Sequence, residues 1–256
     1  MTQSVLVLDG QQKSKTNSQN LQNLLVSSRN TRQKHSKIDK HTIYFPPAWS
    51  YKVTIKNVVF DFGGVLLDWN PRYFYSSIFN DDEKMEYFIK NIVTSTWNSQ
   101  MDKGRTFEEC MAELSQEHPE YKDQINLYRK GWEKMLKGEI DSGIRVLNAV
   151  QASGNFKVYG LTNWSAETFP YAFNTYKFLQ SFEGIVVSGE EKMIKPEKGI
   201  YLTLLERYNL KPEETFFMDD NINNVETALS RGIHALQFTG TEDNLKEIGK
   251  ILKIKI

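Results

Sequence analysis

Five short apolar runs, at residues 56–61, 156–161, 184–188, 214–218 and 233–238, constrain this chain more than any other feature. Each is rich in Val, Ile, Phe or Leu, and helical stretches separate them. Runs of this length and composition read as buried strands. Strand and helix in alternation imply parallel pairing with right-handed crossovers, hence an α/β fold with a Rossmann-like parallel sheet flanked by helices. Residues 141–153 run up to Gly154, a helix-stopping glycine. A helix is expected over 164–179, starting after Asn163. Pro196 suits the first turn of a helix over 197–209, and a helix over 221–231 ends at Gly232.

The interval from 70 to about 140 breaks this rhythm. It holds no convincing strand and reads as several helices with many aromatics, among them Tyr73, Phe74, Phe88, Trp97 and Trp132. An all-helical block inserted after the first strand is a candidate lid over the sheet edge. The expected organisation is therefore a polar extension over 1–52, an α/β core made of 53–69 and 141–256, and a helical cap over 70–140. The extension is rich in Ser, Asn and Gln. It sets Lys13, Lys15, Arg29, Arg32, Lys34, Lys37, Lys40 and Lys52 against only Asp9 and Asp39. A segment of that composition buries too little apolar area to offset its ordering entropy, so disorder is expected. A basic arm that touches an acidic partner is the other reading.

Net charge is zero over 256 residues, so no global field points to nucleic acid or an anionic membrane. Cys110 is the single cysteine, which excludes an internal disulfide framework and a cysteine-based zinc site; it reads as a reduced thiol on a helix. No apolar stretch approaches the roughly 20 residues that span a bilayer. Val5-Leu6-Val7-Leu8 is too short for a signal-peptide core. A cytoplasmic protein is expected, with its oligomeric state open.

The chemistry collects at the ends of the apolar runs. In an open α/β sheet the C-terminal strand ends form one crevice. Asp61 closes the first run and is followed by Phe62-Gly63-Gly64, where the glycines leave room for close approach. Such a carboxylate can attack phosphorus or carbon, hold Mg²⁺, or merely cap a turn. Thr162 and Asn163 follow the second run. A hydroxyl, an amide and the N–H groups of a helix start make an anion pocket, or a plain N-cap. Lys195 precedes Pro196 and can neutralise a phosphate or a nucleophile. Asp219 and Asp220 follow Thr215-Phe216-Phe217-Met218. Adjacent carboxylates repel unless a cation compensates, and a Mg²⁺ shared with Asp61 would do so; an acidic helix N-terminus is the alternative. Asn224, one helical turn on, can hold the loop or a carboxylate.

The order and spacing of these groups resemble the haloacid dehalogenase superfamily of hydrolases over residues 56 to about 240. The resemblance implies that Asp61 is the nucleophile, that Thr162 binds phosphoryl oxygens with Asn163 beside it, that Lys195 stabilises that charge, and that Asp219 and Asp220 hold Mg²⁺ with Asp61. The segment after the first motif matches the family's helical cap. Asp-Phe-Gly-Gly-Val, Leu-Thr-Asn-Trp and Asp-Asp-Asn-Ile-Asn-Asn look most like bacterial phosphatases of small sugar phosphates such as glucose-1-phosphate. Most family phosphatases carry a second Asp, the general acid and base, where this chain has Gly63. The Gly63 carbonyl can still ligate Mg²⁺, but the proton-transfer role is vacant. Asp68 is the candidate substitute, with capping of the next helix as its other reading.

The expected activity is therefore Mg²⁺-dependent hydrolysis of a small phosphorylated metabolite through an aspartyl-phosphate. Dehalogenation of a 2-halo acid and a catalytically weak binding protein of the same fold are the alternatives, and a phosphotransferase is also consistent. Trp69, Trp97 and Trp132 can stack on a sugar face or fill the core.

Overall fold

The computed structural model describes residues 54–256. The polar extension over 1–52, with its expected disorder and basic charge, lies outside the described residues. Five strands, β1 (Asn57–Phe60), β4 (Lys157–Thr162), β5 (Gly184–Val187), β6 (Thr215–Asp219) and β7 (His234–Gln237), form one parallel sheet in the order β5-β4-β1-β6-β7. Each coincides with one of the five apolar runs. The two remaining strands, β2 (Leu67–Trp69) and β3 (Leu136–Glu139), pair antiparallel in a small separate sheet.

The sheet is covered on both faces, which is why its strands are apolar throughout rather than alternating. Val58 and Phe60 of β1, Phe216 and Met218 of β6, and Val158 of β4 point into one cluster. Val59, Phe217, Tyr159 and Leu161 point into the other, as the two-residue period of a strand requires. The helices Lys198–Arg207 and Ile222–Ser230 supply Tyr201, Leu204, Val225 and Ala228 to the second face. Helices Asp141–Ser153 and Glu242–Leu252 supply Val146, Leu147, Leu245 and Ile248 to the first.

Between β2 and β3 the chain is helical, with helices Arg72–Tyr75, Asp82–Asn91, Ser95–Asp102, Phe107–Glu117, Lys122–Asn126 and Tyr128–Gly131. Their starts follow from local capping chemistry. Asp81 accepts from Glu83 and Lys84 N–H, Thr94 accepts from Trp97 N–H, and Thr106 forms a capping box with Glu109. The aromatics of this segment, including Phe74, Tyr75, Phe88 and Tyr128, join the same apolar cluster as the first face of the sheet.

Three sequence expectations need correction. The interval 70–140 does contain a strand, β3, which pairs with β2 so that the helical segment enters and leaves through one two-stranded neck. Strands of three and four residues, Leu-Asp-Trp and Leu-Lys-Gly-Glu, are too short to establish a period. The helix expected over 164–179 is shorter, Phe169–Thr175 followed by a 3-10 turn over Lys177–Ser181. Pro170 has no N–H to give and fits only in a first turn, so the helix begins beside it. Pro196 stands ahead of its helix rather than in the first turn, after a cis Lys195–Pro196 bond, with Glu197 as the N-cap.

The turn after β1 is clamped from several sides. Phe62 C=O accepts from Leu66 and Leu67 N–H, each at 2.8 Å, and Ile140 N–H donates to Leu66 C=O at 2.9 Å. Helix Asp141–Ser153 then approaches so closely that a Cβ on Gly143 would stand 1.8 Å from Val65 C=O. Helix propensity alone favours Gly143→Ala by about 1 kcal/mol. The contact predicts the opposite sign, a loss of about 1–3 kcal/mol in urea unfolding, because backbone must shift to admit the methyl group.

Candidate active site

β1 lies between β4 and β6, and the register sets Phe60 beside Gly160 and Met218. Asp61, one residue on, donates its N–H to Met218 C=O at 2.9 Å. The ends of three adjacent strands thus place Asp61, Thr162 and Asp219 side by side. Lys195 reaches in from the loop after the one-turn helix Ser188–Glu191 that follows β5. Its Nζ lies 2.8 Å from Asp61 Oδ1 and 2.7 Å from Asp219 Oδ2, and the ammonium is almost fully buried. The third proton goes to Leu161 C=O at 2.9 Å, and the Phe217 ring lies 5.6 Å away.

Asp219 is held from several sides. Besides Lys195 it accepts from Asn221 N–H at 2.8 Å and from Asn224 Nδ2 at 3.0 and 3.1 Å. Asn224 therefore does hold a carboxylate, as its spacing suggested. Asp220 is exposed by contrast. One oxygen from each of Asp61, Asp219 and Asp220 falls within 4.8 Å of the others. Gly64, at φ +74°, makes this approach possible: a Cβ there would stand 2.4 Å from Asp220 Oδ2. Both acids precede the Asn221 N-cap of helix Ile222–Ser230, so neither belongs to its first turn.

One buried ammonium faces three carboxylates. Burial pushes the Asp61 carboxyl well up; the Lys195 charge opposes this, and Asp219 and Asp220 add to it. Burial and Asp219 also raise Asp220 against the pull of Lys195. Lys195 itself is pulled down by burial but held up, net, by Asp219 and Asp61, so it remains an ammonium ion. The surplus negative charge and the all-oxygen donor set fit a hard divalent cation such as Mg²⁺.

Thr162 is fully buried, and its Oγ1 has no partner among the described residues. A hydroxyl left so costs about 1–3 kcal/mol, which fits a group awaiting a ligand. It is no N-cap, since the next helix begins only at Phe169. That also removes the expected helix-start pocket: Trp164 and Ser165 N–H groups go to Ser188 Oγ and to the Asp102 carboxylate. Asn163 sits at the site, but its amide is fastened to the Lys195 backbone, Nδ2 to C=O at 3.0 Å and Oδ1 from N–H at 2.8 Å.

Gly63 follows Asp61 with open space around it: a Cβ built there meets nothing within 4 Å. Asp68 lies on β2 and accepts from the Tyr73 hydroxyl at 2.7 Å. It does not cap the next helix, because Arg72 N–H is taken by Asn70 Oδ1 at 3.0 Å. Trp97 and Trp132 are core residues, and Trp69 is half-buried. Cys110 is a free, buried thiol. Asp102 and Ser188 carried no signal in the sequence and are brought to the site's border only by the fold.

A profile of the haloacid dehalogenase-like hydrolases matches residues 55–232. The chain belongs to this family. Among relatives of this haloacid dehalogenase-like hydrolase is the sesquiterpene phosphatase astK of Aspergillus oryzae, 26% identical over 200 residues that cover 78% of this chain and 97% of that protein. A solved haloacid dehalogenase family enzyme of Bacteroides thetaiotaomicron superposes with a TM-score of 0.56 at 25% identity, over 74% of this chain and 96% of that one. The same bacterial enzyme, at TM-score 0.55 and 25% identity with the same coverage, has been solved with magnesium and inorganic phosphate.

Lys195 should be the stability keystone of this hydrolase's site. Lys195→Met strands two buried carboxylates, and removal of one partner from a buried pair costs about 3–5 kcal/mol. Urea unfolding in metal-free buffer checks this; a loss under about 1 kcal/mol, as for a surface pair, would contradict it.

Proposed function

We propose that this hydrolase is a Mg²⁺-dependent phosphatase that cleaves small phosphate monoesters through an aspartyl-phosphate on Asp61. The observation that carries the reading is the convergence of Asp61, Asp219 and Asp220 around the buried Lys195 ammonium. The relative named a phosphatase and the similar structure with magnesium and inorganic phosphate support it.

In this reading Asp61 attacks phosphorus in line with the departing oxygen. Lys195 opposes the upward pull of burial on the nucleophile's carboxyl and aims it, and Asp219 with Asn224 holds Lys195. The unpartnered Thr162 hydroxyl donates to a phosphoryl oxygen, at a site whose dipoles are already in place. Asn163 tethers the loop that carries Lys195, leaving its backbone for the anion. Asp61, Asp220 and Asp219, with the Gly63 carbonyl, would hold the cation, which supplies positive charge for the transferring group when bound. Water then hydrolyses the acyl-phosphate. The helices between β2 and β3 serve as the cap, hinged at the two-stranded neck, that shields the reaction and reads the leaving group. Gly63 leaves no side chain for proton transfer, and Asp68 is the candidate substitute.

The substrate class proposed is sugar phosphates and similar metabolites, from the motif resemblance. The astK similarity over nearly that protein's whole length favours a second reading, a terpenoid monophosphate. Dehalogenation uses the same nucleophile, but halide leaves without a metal, and the carboxylate cluster would then have no task.

A panel of sugar phosphates, terpenoid monophosphates and 2-halo acids separates these readings. Phosphate release with Mg²⁺, its loss on chelation and its return on adding Mg²⁺ are expected. Asp61→Asn should abolish turnover with the fold intact by circular dichroism. Chelator-insensitive halide release would replace the phosphatase with a dehalogenase.

A further inference from the structure

The helical segment brings one carboxylate to the border of the site that the chemistry above leaves unused. Asp102 is the last residue of helix Ser95–Asp102. Its Oδ2 accepts from Asn98 Nδ2 at 2.9 Å, and the carboxylate also accepts the N–H of Ser165, three residues beyond Thr162. Its main-chain carbonyl accepts from Ser188 Oγ at 2.5 Å; that same hydroxyl oxygen takes the Trp164 N–H at 2.8 Å. At Gly104, φ +97°, a Cβ would stand 2.7 Å from Gly189 C=O. Residues 102–104 are thus pressed onto the loops after β4 and β5, at the strand ends that carry Thr162 and lead to Lys195.

The carboxylate is packed deep among neighbouring atoms, yet the residue still meets solvent. The charges around it are few. Lys195, from the core, is close enough to be felt. Tyr128, which donates to Asn98 Oδ1 at 2.9 Å, keeps its proton because burial raises it strongly. The neighbouring cations turn elsewhere, Lys103 to Glu197 at 2.6 Å and Arg105 to Glu113 at 2.5 Å. Burial therefore prevails over the Ser165 and Asn98 hydrogen bonds and over Lys195, and pushes Asp102 up to about 7. That value suits a group that gives a proton and takes it back near neutrality.

We propose that Asp102 is the acid–base carboxylate of the reaction, supplying from the helical segment what Gly63 does not. The proposal rests on the phosphatase reading. As Asp61 Oδ forms its bond to phosphorus, the bond from phosphorus to the ester oxygen breaks and its electron pair stays on that oxygen. The Asp102 proton moves to the same oxygen, which leaves as the alcohol. The Asp102 carboxylate then takes a proton from water as the water oxygen bonds to phosphorus. The acyl-phosphate bond breaks, Asp61 recovers its carboxylate, inorganic phosphate departs, and Asp102 is again protonated.

The test compares two substrates of like shape in the full-length enzyme with Mg²⁺. 4-Nitrophenyl phosphate has a leaving oxygen that departs without a proton; benzyl phosphate has one that needs it. Asp102→Asn should lower kcat/KM for benzyl phosphate about 10²–10⁴-fold and leave 4-nitrophenyl phosphate within about threefold. In the wild type the benzyl-to-nitrophenyl ratio should fall as pH rises through about 7, and in Asp102→Asn it should be flat. Equal losses on both substrates would make Asp102 a docking residue only and overturn the proposal. So would a ratio in the wild type that is flat with pH, a measurement that needs no variant. A substrate-selective loss in Asp68→Asn but not in Asp102→Asn would assign the role to Asp68. A wild type active on neither ester would instead sink the phosphatase reading itself.

Discussion

The site depends on one buried ammonium shared by two carboxylates. Lys195 Nζ binds Asp61 and Asp219 at 2.8 and 2.7 Å with almost no solvent contact. A charge in that position persists only if paired and hydrogen-bonded. The fold meets this condition with the Leu161 carbonyl behind the ammonium and with Asn224 and the Asn221 N–H on the far side of Asp219. Asp61 and Asp219 share that one ammonium, so three clustered carboxylates carry more negative charge than it balances. Burial raises the carboxyls of Asp61 and Asp220, and the neighbouring carboxylates add to it. A divalent cation fits such a cluster of oxygen donors.

The scaffold makes the arrangement reproducible. Adjacent strands β4, β1 and β6 end within two residues of one level, so three functional side chains need no long reach. The turn after β1 is locked by Phe62, whose ring packs so closely on Gly160 that a Cβ there would stand 2.4 Å from it. Gly143 admits a helix against the far side of the same turn. The helical segment is joined to the core at the β2–β3 neck, and residues 102–104 within it pack against Ser188 and Gly189 after β5. The couplings among these parts are short, direct contacts.

Much of this was legible in the sequence because the strongest signals are physical necessities. A parallel sheet covered on both faces must be built from apolar runs, and all five strands stood out as such. Asp61, Lys195 and Asp219-Asp220 stood out because strand ends in such a sheet share one crevice. Legibility fails where tertiary context overrides local pattern. β2 and β3 are too short to show a period. The segment 164–168 looked helical because Pro170, rather than Asn163, sets the helix start. Asn163 looked like an anion ligand, but its amide is spent on the Lys195 backbone. Asp102 gave no sign at all, since its surroundings come from Ser165, Ser188 and Lys195, each more than 60 residues away in sequence.

The central claim is that Asp61, Asp219 and Asp220 surround a divalent cation, and calorimetric titration of the metal-free protein with Mg²⁺ tests it most directly. One equivalent should bind to the wild type, and Asp220→Asn, which leaves the Lys195 ion pairs untouched, should weaken binding by at least about tenfold, or about 1.4 kcal/mol. Undiminished binding in Asp220→Asn, or no binding to the wild type, would contradict the account.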